Sequence, residues 1–160
     1  MLRRDYADQN CSIARALEVV GERWSFLIVR DAFLGVTRFD KFERRLGVAP
    51  NTLTARLRTL TDAGVLERRR YSERPERFEY VLTSRGKDLF PAVIAMMSWG
   101  DTYLSAHGAP AVARHVGCGG ALDAHARCQT CAAIVEADDV EWHYGPGSRH
   151  APGPRPRPPV

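Results

Sequence analysis

Four cysteines and five histidines hold most of the ligating and nucleophilic capacity of this 160-residue chain. Three cysteines and one histidine fall into two short pairs, His115-x2-Cys118 and Cys128-x2-Cys131. A two-residue spacer lets both donors of a pair reach one ion, and tetrahedral zinc accepts a Cys3His set. Four protein ligands leave no open position for water, so the expected role is structural. His125 is an alternative fourth ligand, and the opposing reading is a small hairpin of reduced, metal-free cysteines. Cys11 stands alone at the start of an apolar-periodic run. A helix N-terminus with Arg15 one turn on would lower its pKa and make it a redox sensor, whereas the alternative is a half-buried structural thiol.

A second set of side chains suits a polyanion. Between residues 36 and 87 there are 13 Arg and Lys against 7 Asp and Glu, a balance of +6 in a chain whose net charge is +4. Within residues 47–64, Leu53, Leu57 and Leu60 repeat at helical spacing and share one face. Asn51, Thr54, Ala55 and Arg58 project elsewhere and are small or polar enough to enter a major groove about 12 Å wide. Arg58 can fork onto a guanine edge, Asn51 can pair with adenine, and Ala55 or a Thr methyl can meet a thymine methyl. Thr52 and Arg56 sit nearer the core side and suit phosphate or the fold itself. Arg74 and Arg77 suit phosphates or the minor groove, and Arg68, Arg69 and Arg70 can add phosphate contacts. Each arginine taken singly is a solvated surface charge as readily as a contact.

The elements that must position these groups follow from periodicity and glycine punctuation. Helices are expected from residue 12 to Gly21, over 22–34 ending at Gly35, over 39–46 ending at Gly47, and then through Pro50 to Gly64. Strands over 66–71 and 78–82 are joined by the charged tip SERPER at 72–77. Thr83 can cap a long apolar helix over 84–105, which Pro91 should kink or make irregular in its early part. That helix carries more apolar surface than one small body needs, which marks it as a dimer element. From His107 the chain turns Ala- and Gly-rich around the cysteines, with small strands expected over 128–140 and at Trp142 and Tyr144.

Helix, helix, helix, hairpin, long helix is the order of a winged helix-turn-helix. Several motifs stand in that order: Trp24, Gly35-Val-Thr-Arg38-Phe39, Leu53-Thr-Ala-Arg56-Leu57, Gly64-Val-Leu, Tyr71-Ser-Glu-Arg-Pro75-Glu-Arg77, Thr83, Gly86 and Trp99-Gly100. Over about residues 11–105 the chain resembles the HxlR-type family of bacterial winged-helix regulators. The resemblance implies a homodimer on a pseudo-palindromic operator, paired through its first and last long helices, with recognition helices about 34 Å apart. Family members often carry a cysteine at the place of Cys11, followed by proline, and some sense oxidants or electrophiles with it; here Ser12 follows instead. Longer members resemble this chain in having a Cys-rich tail.

The expected architecture is therefore mainly α with a small β-hairpin wing, a winged helix-turn-helix bearing a small Cys-rich C-terminal appendage. Residues 1–10 form a flexible arm, 11–106 the DNA-binding and dimerisation domain, 107–144 the appendage, and 145–160 a disordered Pro-rich tail. The DNA-binding set is Arg38, Pro50, Asn51, Thr52, Thr54, Ala55, Arg56, Arg58, Arg70, Arg74 and Arg77. Expected partners are double-stranded DNA, a second copy, and a small-molecule or oxidant effector; no cofactor is required for DNA binding, and zinc belongs to the appendage. No apolar run approaches the ~20 residues of a membrane span, and the N-terminus lacks the apolar core of a secretory signal, so a cytoplasmic protein is expected. An enzyme is disfavoured. There is no nucleophile elbow, phosphate loop or useful carboxylate pair, and Glu136 beside the cysteines lacks the His-x-Glu element of a zinc hydrolase. The remaining alternative is a zinc-ribbon-like module whose winged helix binds protein.

Overall fold

A computed structural model describes residues 9–149 and the backbone of 153–154. The arm expected at 1–10 lies outside the described residues except for Gln9 and Asn10, as does most of the Pro-rich end. Contacts divide the chain after Lys87 into two compact units. The second unit holds the Cys-rich segment together with the helix before it, whereas the sequence suggested a boundary at 106.

The first unit runs α1 (Ser12–Val20), α2 (Arg23–Phe33), α3 (Phe39–Leu46), α4 (Pro50–Asp62), β1 (Leu66–Glu73), β2 (Glu76–Leu82) and the single turn α5 (Ser84–Lys87). Its core forms where the helical stripes meet: Ile28 and Val29 of α2, Phe42 of α3, and Leu53, Leu57 and Leu60 of α4 are almost wholly buried. Burying a side chain of this size stabilises the fold by about 1.5–3 kcal/mol. Trp24 and Leu27 of α2 are only half-buried. Gly21 ends α1 in right-handed geometry, φ −73°, not in the left-handed one that a terminal glycine suggests. Gly47 does take the left-handed form, φ +62°, and an added Cβ would meet nothing within 4 Å, so backbone conformation alone favours glycine at the helix-to-helix turn.

One core element escaped the sequence reading. Asp31 is fully buried on α2 and takes two guanidinium groups, Arg30 Nη2 at 2.9 Å and Arg45 Nε at 3.1 Å. The Arg45 pair ties α3 to α2 through a charge that packing would otherwise exclude.

The wing is longer and tighter than expected. β1 and β2 pair antiparallel from Leu66↔Leu82 to Glu73↔Glu76, with a bulge at Tyr71. The tip is therefore Arg74–Pro75 alone, joined by a cis peptide, and not the whole of 72–77. The base is anchored by Thr37, whose carbonyl accepts the Tyr80 N–H at 2.7 Å. Thr83 accepts the Gly86 N–H at 3.1 Å, as a helix cap should, and donates to the Gly64 carbonyl at 2.6 Å.

The long helix expected over 84–105 is two helices. α5 stops at Lys87, and α6 (Phe90–Tyr103) begins with Pro91 in its first turn. Proline is harmless there because its missing N–H would have had no helical partner, so the chain restarts a helix instead of kinking one. α6 heads the second unit, followed by β3 (Ala111–His115), a short 3-10 turn at Ala137–Asp139, β4 (Val140–Tyr144) and β5 (Gly153–Pro154). The sheet order is β3-β4-β5, antiparallel throughout. Residues 145–149, expected to be disordered, are held to the sheet end: Gly145 N–H donates to the Pro110 carbonyl at 3.2 Å and Gly147 N–H to that of Ala109 at 3.1 Å. No helix among the described residues is long and apolar enough to cross a membrane.

Candidate nucleic-acid interface and metal centre

α4 separates its residues by face. Leu53, Leu57 and Leu60 are buried, while Pro50, Asn51, Thr54, Ala55 and Arg58 are exposed. Thr52 and Arg56 lie between, and the Arg56 Nε is shielded from solvent without a hydrogen-bond partner among the described residues. Ala49 precedes the helix and supplies no side-chain cap, so Asn51 does not serve as one. Arg58 is 83% exposed, its nearest carboxylate being Asp62 at 3.6 Å. An exposed pair of this kind is worth only a few tenths of a kcal/mol, so the guanidinium can leave it for a base edge at little cost.

The wing divides its arginines. Arg69 is bound to Glu67 at 2.7 Å, and Arg70 lies 3.6 Å from Glu73 and 3.8 Å from Glu76. Arg68 stacks over Phe78 at 3.3 Å, and Arg38 over Tyr71 at 4.6 Å. Glu73 and Glu76 thus engage Arg70, and Arg74 and Arg77 are exposed with no acidic partner among the described residues. Of the expected wing cations, Arg68, Arg74 and Arg77 have no carboxylate partner among the described residues, and Arg74 and Arg77 are the two at the tip.

Cys11 is exposed and occupies the N-cap of α1 without making a side-chain cap bond. Arg15, which was to assist it, instead donates to Asn10 Oδ1 at 2.8 Å.

The second unit brings His115, Cys118, Cys128 and Cys131 together, with their ligand atoms all within 4.8 Å of one another. His115 Nδ1 is 3.5 Å from Cys118 Sγ and 3.3 Å from Cys131 Sγ, and the Cys118 and Cys128 sulfurs are 3.3 Å apart. Bonds of about 2.3 Å to sulfur and 2.0–2.1 Å to nitrogen around a tetrahedral ion require donor separations of about 3.6–3.8 Å. Three of the donor pairs come within about half an ångström of that and all lie within 4.8 Å, so the residues fit a metal after a small adjustment. His125 is exposed and outside the cluster, which corrects its standing as an alternative ligand, and its backbone N–H donates to Asp123 Oδ1 at 2.8 Å.

Two copies of one turn build the cluster. Gly119 N–H closes onto the His115 carbonyl at 2.7 Å, and Ala132 N–H onto the Cys128 carbonyl at 2.9 Å. Each turn ends left-handed, at φ +72° for Gly119 and +60° for Ala132. Backbone N–H groups of Cys131 and Thr130 aim at the Cys128 sulfur and, against burial, bring its pKa down to about 6. The Gly120 N–H acts likewise on Cys118, but the Cys128 sulfur, burial and Cys131 outweigh it and push that thiol up. Gly120 is the point of closest approach: a Cβ there would lie 2.5 Å from Cys128 Sγ and 2.5 Å from Thr130 Oγ1.

Comparison with known proteins fits the first unit and extends beyond it. The HxlR-like helix-turn-helix family pattern matches residues 19–108. An uncharacterized HTH-type transcriptional regulator of Mycobacterium tuberculosis is 47% identical over 137 residues, covering 85% of this chain and 87% of the relative. A cyanobacterial HTH-type regulator from Synechocystis is 38% identical over 95 residues, 59% of this chain and 70% of the relative. Among solved structures, PA1607, a candidate transcription factor, has a TM-score of 0.58 at 46% identity and covers 62% of this chain and 69% of that one. The redox regulator HypR in its oxidized form has a TM-score of 0.54 at 32% identity, covering 57% and 96%. These relatives are regulators and not enzymes, and the structural neighbours are winged helix-turn-helix proteins. The chain belongs to the HxlR-like helix-turn-helix family and is a transcriptional regulator of the HTH type.

Proposed function

We propose that this regulator binds a pseudo-palindromic operator sequence-specifically as a homodimer, with α4 in the major groove and the wing tip on the flanking backbone. The observation that carries this is the partition of α4, whose leucines are buried while Asn51, Thr54, Ala55 and Arg58 are exposed. Arg58, Asn51 and Ala55 read bases. Pro50, Thr52, Thr54, Arg56 and Arg38 surround that reading edge, and Arg74 and Arg77 take phosphates. Arg70 contributes less, since it is held between two glutamates.

Dimerisation is supported by apolar surface left uncovered in each unit. Ile13 on α1 is 71% exposed, and on α6 Trp99 and Tyr103 stand 58% and 70% exposed with their rings 5.6 Å apart. A second copy is the partner that covers such faces without a further gene product. Binding to the chromosome sets the working compartment as the cytoplasm.

The Cys3His cluster holds a structural zinc ion in this reading, supported by the donor set, the paired turns and the glycine that admits Cys128. The ion cross-links β3 to the Cys128 turn, and DNA binding itself needs no cofactor. Exposed Cys11 and the HypR likeness support a thiol-based oxidant response as a second input. The test is binding of purified protein to genomic fragments across a salt series. Affinity that is sequence-selective and falls steeply with salt is expected, and failure to select any fragment refutes the reading.

A further inference from the structure

The second unit contains a cavity of about 280 Å³ that neither DNA reading nor metal binding uses. One wall is a single face of α6: Ile94, Met97, Ser98, Asp101 and Thr102 follow one another at helical spacing. The opposite wall includes Ala109, Ala111 and Ala113, short side chains where larger ones would fill the space. The α6 face is graded, apolar at Ile94 and Met97 and polar from Ser98 to Thr102. Asp101 and Asp123 are the ionisable groups in the lining, and no Lys, Arg or His joins them.

The two carboxylates differ in their surroundings. Asp123 Oδ1 is tied down by the N–H groups of His125 at 2.8 Å and Arg127 at 3.0 Å. Asp101 is partly buried, and that burial pushes its carboxyl pKa up, opposed by Ser105. A cation placed beside Asp101 would compensate the desolvation of its charged form.

The geometry points to a binding site for a small organic cation, a primary ammonium or amidinium on an apolar ring or short chain, with the charge at Asp101 and the body against Ile94, Met97 and the alanine wall. Pockets of this kind bind by apolar enclosure and orient by a few polar groups. Because α6 forms one wall and β3, which ends at His115, forms the other, occupancy would brace the helix against the metal-bearing sheet. The role as an effector site rests on the regulator reading; the binding site itself does not.

The test titrates the full-length zinc-loaded protein, free of DNA, with benzylammonium, benzyl alcohol and benzoate, following backbone amide NMR shifts. Benzylammonium should shift the amides of residues 94–102 and 111–113 and bind tightest of the three. Asp101→Asn should weaken it at least about tenfold and leave benzyl alcohol nearly unchanged. Ala111→Leu should reduce binding of both, and the near-isosteric Asp101→Asn keeps the test decisive if the leucine variant misfolds. Equal binding of benzoate, indifference to Asp101→Asn, or shifts confined to other residues would overturn the site. A separate titration on operator DNA addresses the effector role: benzylammonium should change operator affinity in the parent but not in Asp101→Asn, and no change in the parent refutes that role alone.

Discussion

Gly120→Ala tests the metal centre more directly than removing a ligand, because every donor remains. The added methyl would stand 2.5 Å from Cys128 Sγ and 2.7 Å from Thr130 Cβ, where real contacts begin beyond 3.0 Å. Something must therefore move by roughly 1 Å, and a metal–sulfur bond of about 2.3 Å tolerates no such shift. The neighbours on one side are the Cys128 turn, whose N–H groups are aimed at the sulfur, so relief there costs ligand geometry. Overpacking of this kind costs about 1–3 kcal/mol, or about 5- to 150-fold in zinc affinity. Gly119→Ala is the matched control. Its Cβ would meet nothing within 4 Å, so only the left-handed backbone at φ +72° is penalised, by about 1–2 kcal/mol. The assay is competition with a chromophoric zinc chelator, read beside thermal melting of the zinc-free form. Gly120→Ala should lose more affinity than Gly119→Ala. If both variants held zinc as tightly as the parent, the cluster would not be a metal centre of this geometry.

Ala132→Gly should act in the opposite sense, removing left-handed strain and stabilising the appendage by up to about 1 kcal/mol in melting experiments; a drop in melting temperature would contradict the repeated-turn geometry. Arg58→Ala should leave stability within about 0.5 kcal/mol yet weaken operator binding by about 1–3 kcal/mol, measured by anisotropy on operator and scrambled duplexes; equal losses on both would reassign it to phosphate. Arg74→Ala with Arg77→Ala should lower affinity for both duplexes alike and flatten the salt dependence, and unchanged binding would leave the wing tip in solvent. Arg45→Ala should destabilise the first unit by about 1.5–3 kcal/mol in urea unfolding, since buried Asp31 loses one of its two partners; a neutral result would mean that Arg30 alone satisfies it.

The α2, α3 and α4 boundaries were legible because apolar spacing and terminal glycines agree, each to within a residue or two of the expected range. The two Cys/His pairs that form the cluster were legible because their spacing is short and local. What escaped depends on contacts distant in sequence. Asp31 reads as a surface charge on an amphipathic helix until Arg45, fourteen residues on, reaches it. The strands extend through Ser72, Glu73 and Glu76 because ladder pairing, and not side-chain hydrophobicity, holds them there. Pro91 signalled a disturbance, but a kink and a fresh helix start share the same proline, and only the turn at 88–89 separates them. β3, with the sequence Ala-Val-Ala-Arg-His, has too little alternation to announce itself, and its strand character comes from pairing with β4. The choice of His115 over His125 was likewise tertiary.

The internal neutralisation of the wing bears on how the protein would travel along a chromosome. Grip on arbitrary DNA comes from displaced counterions, each phosphate contact adding about 0.9 to the slope of log affinity against log salt. With Arg69 and Arg70 occupied by glutamates, each wing keeps three cations without a carboxylate partner, Arg74 and Arg77 at the tip and Arg68 stacked on Phe78. A wing with all five arginines open would hold any stretch of duplex. In the proposed complex this wing would release arbitrary sequence more readily, and residence time would depend more on whether the recognition helix finds its bases.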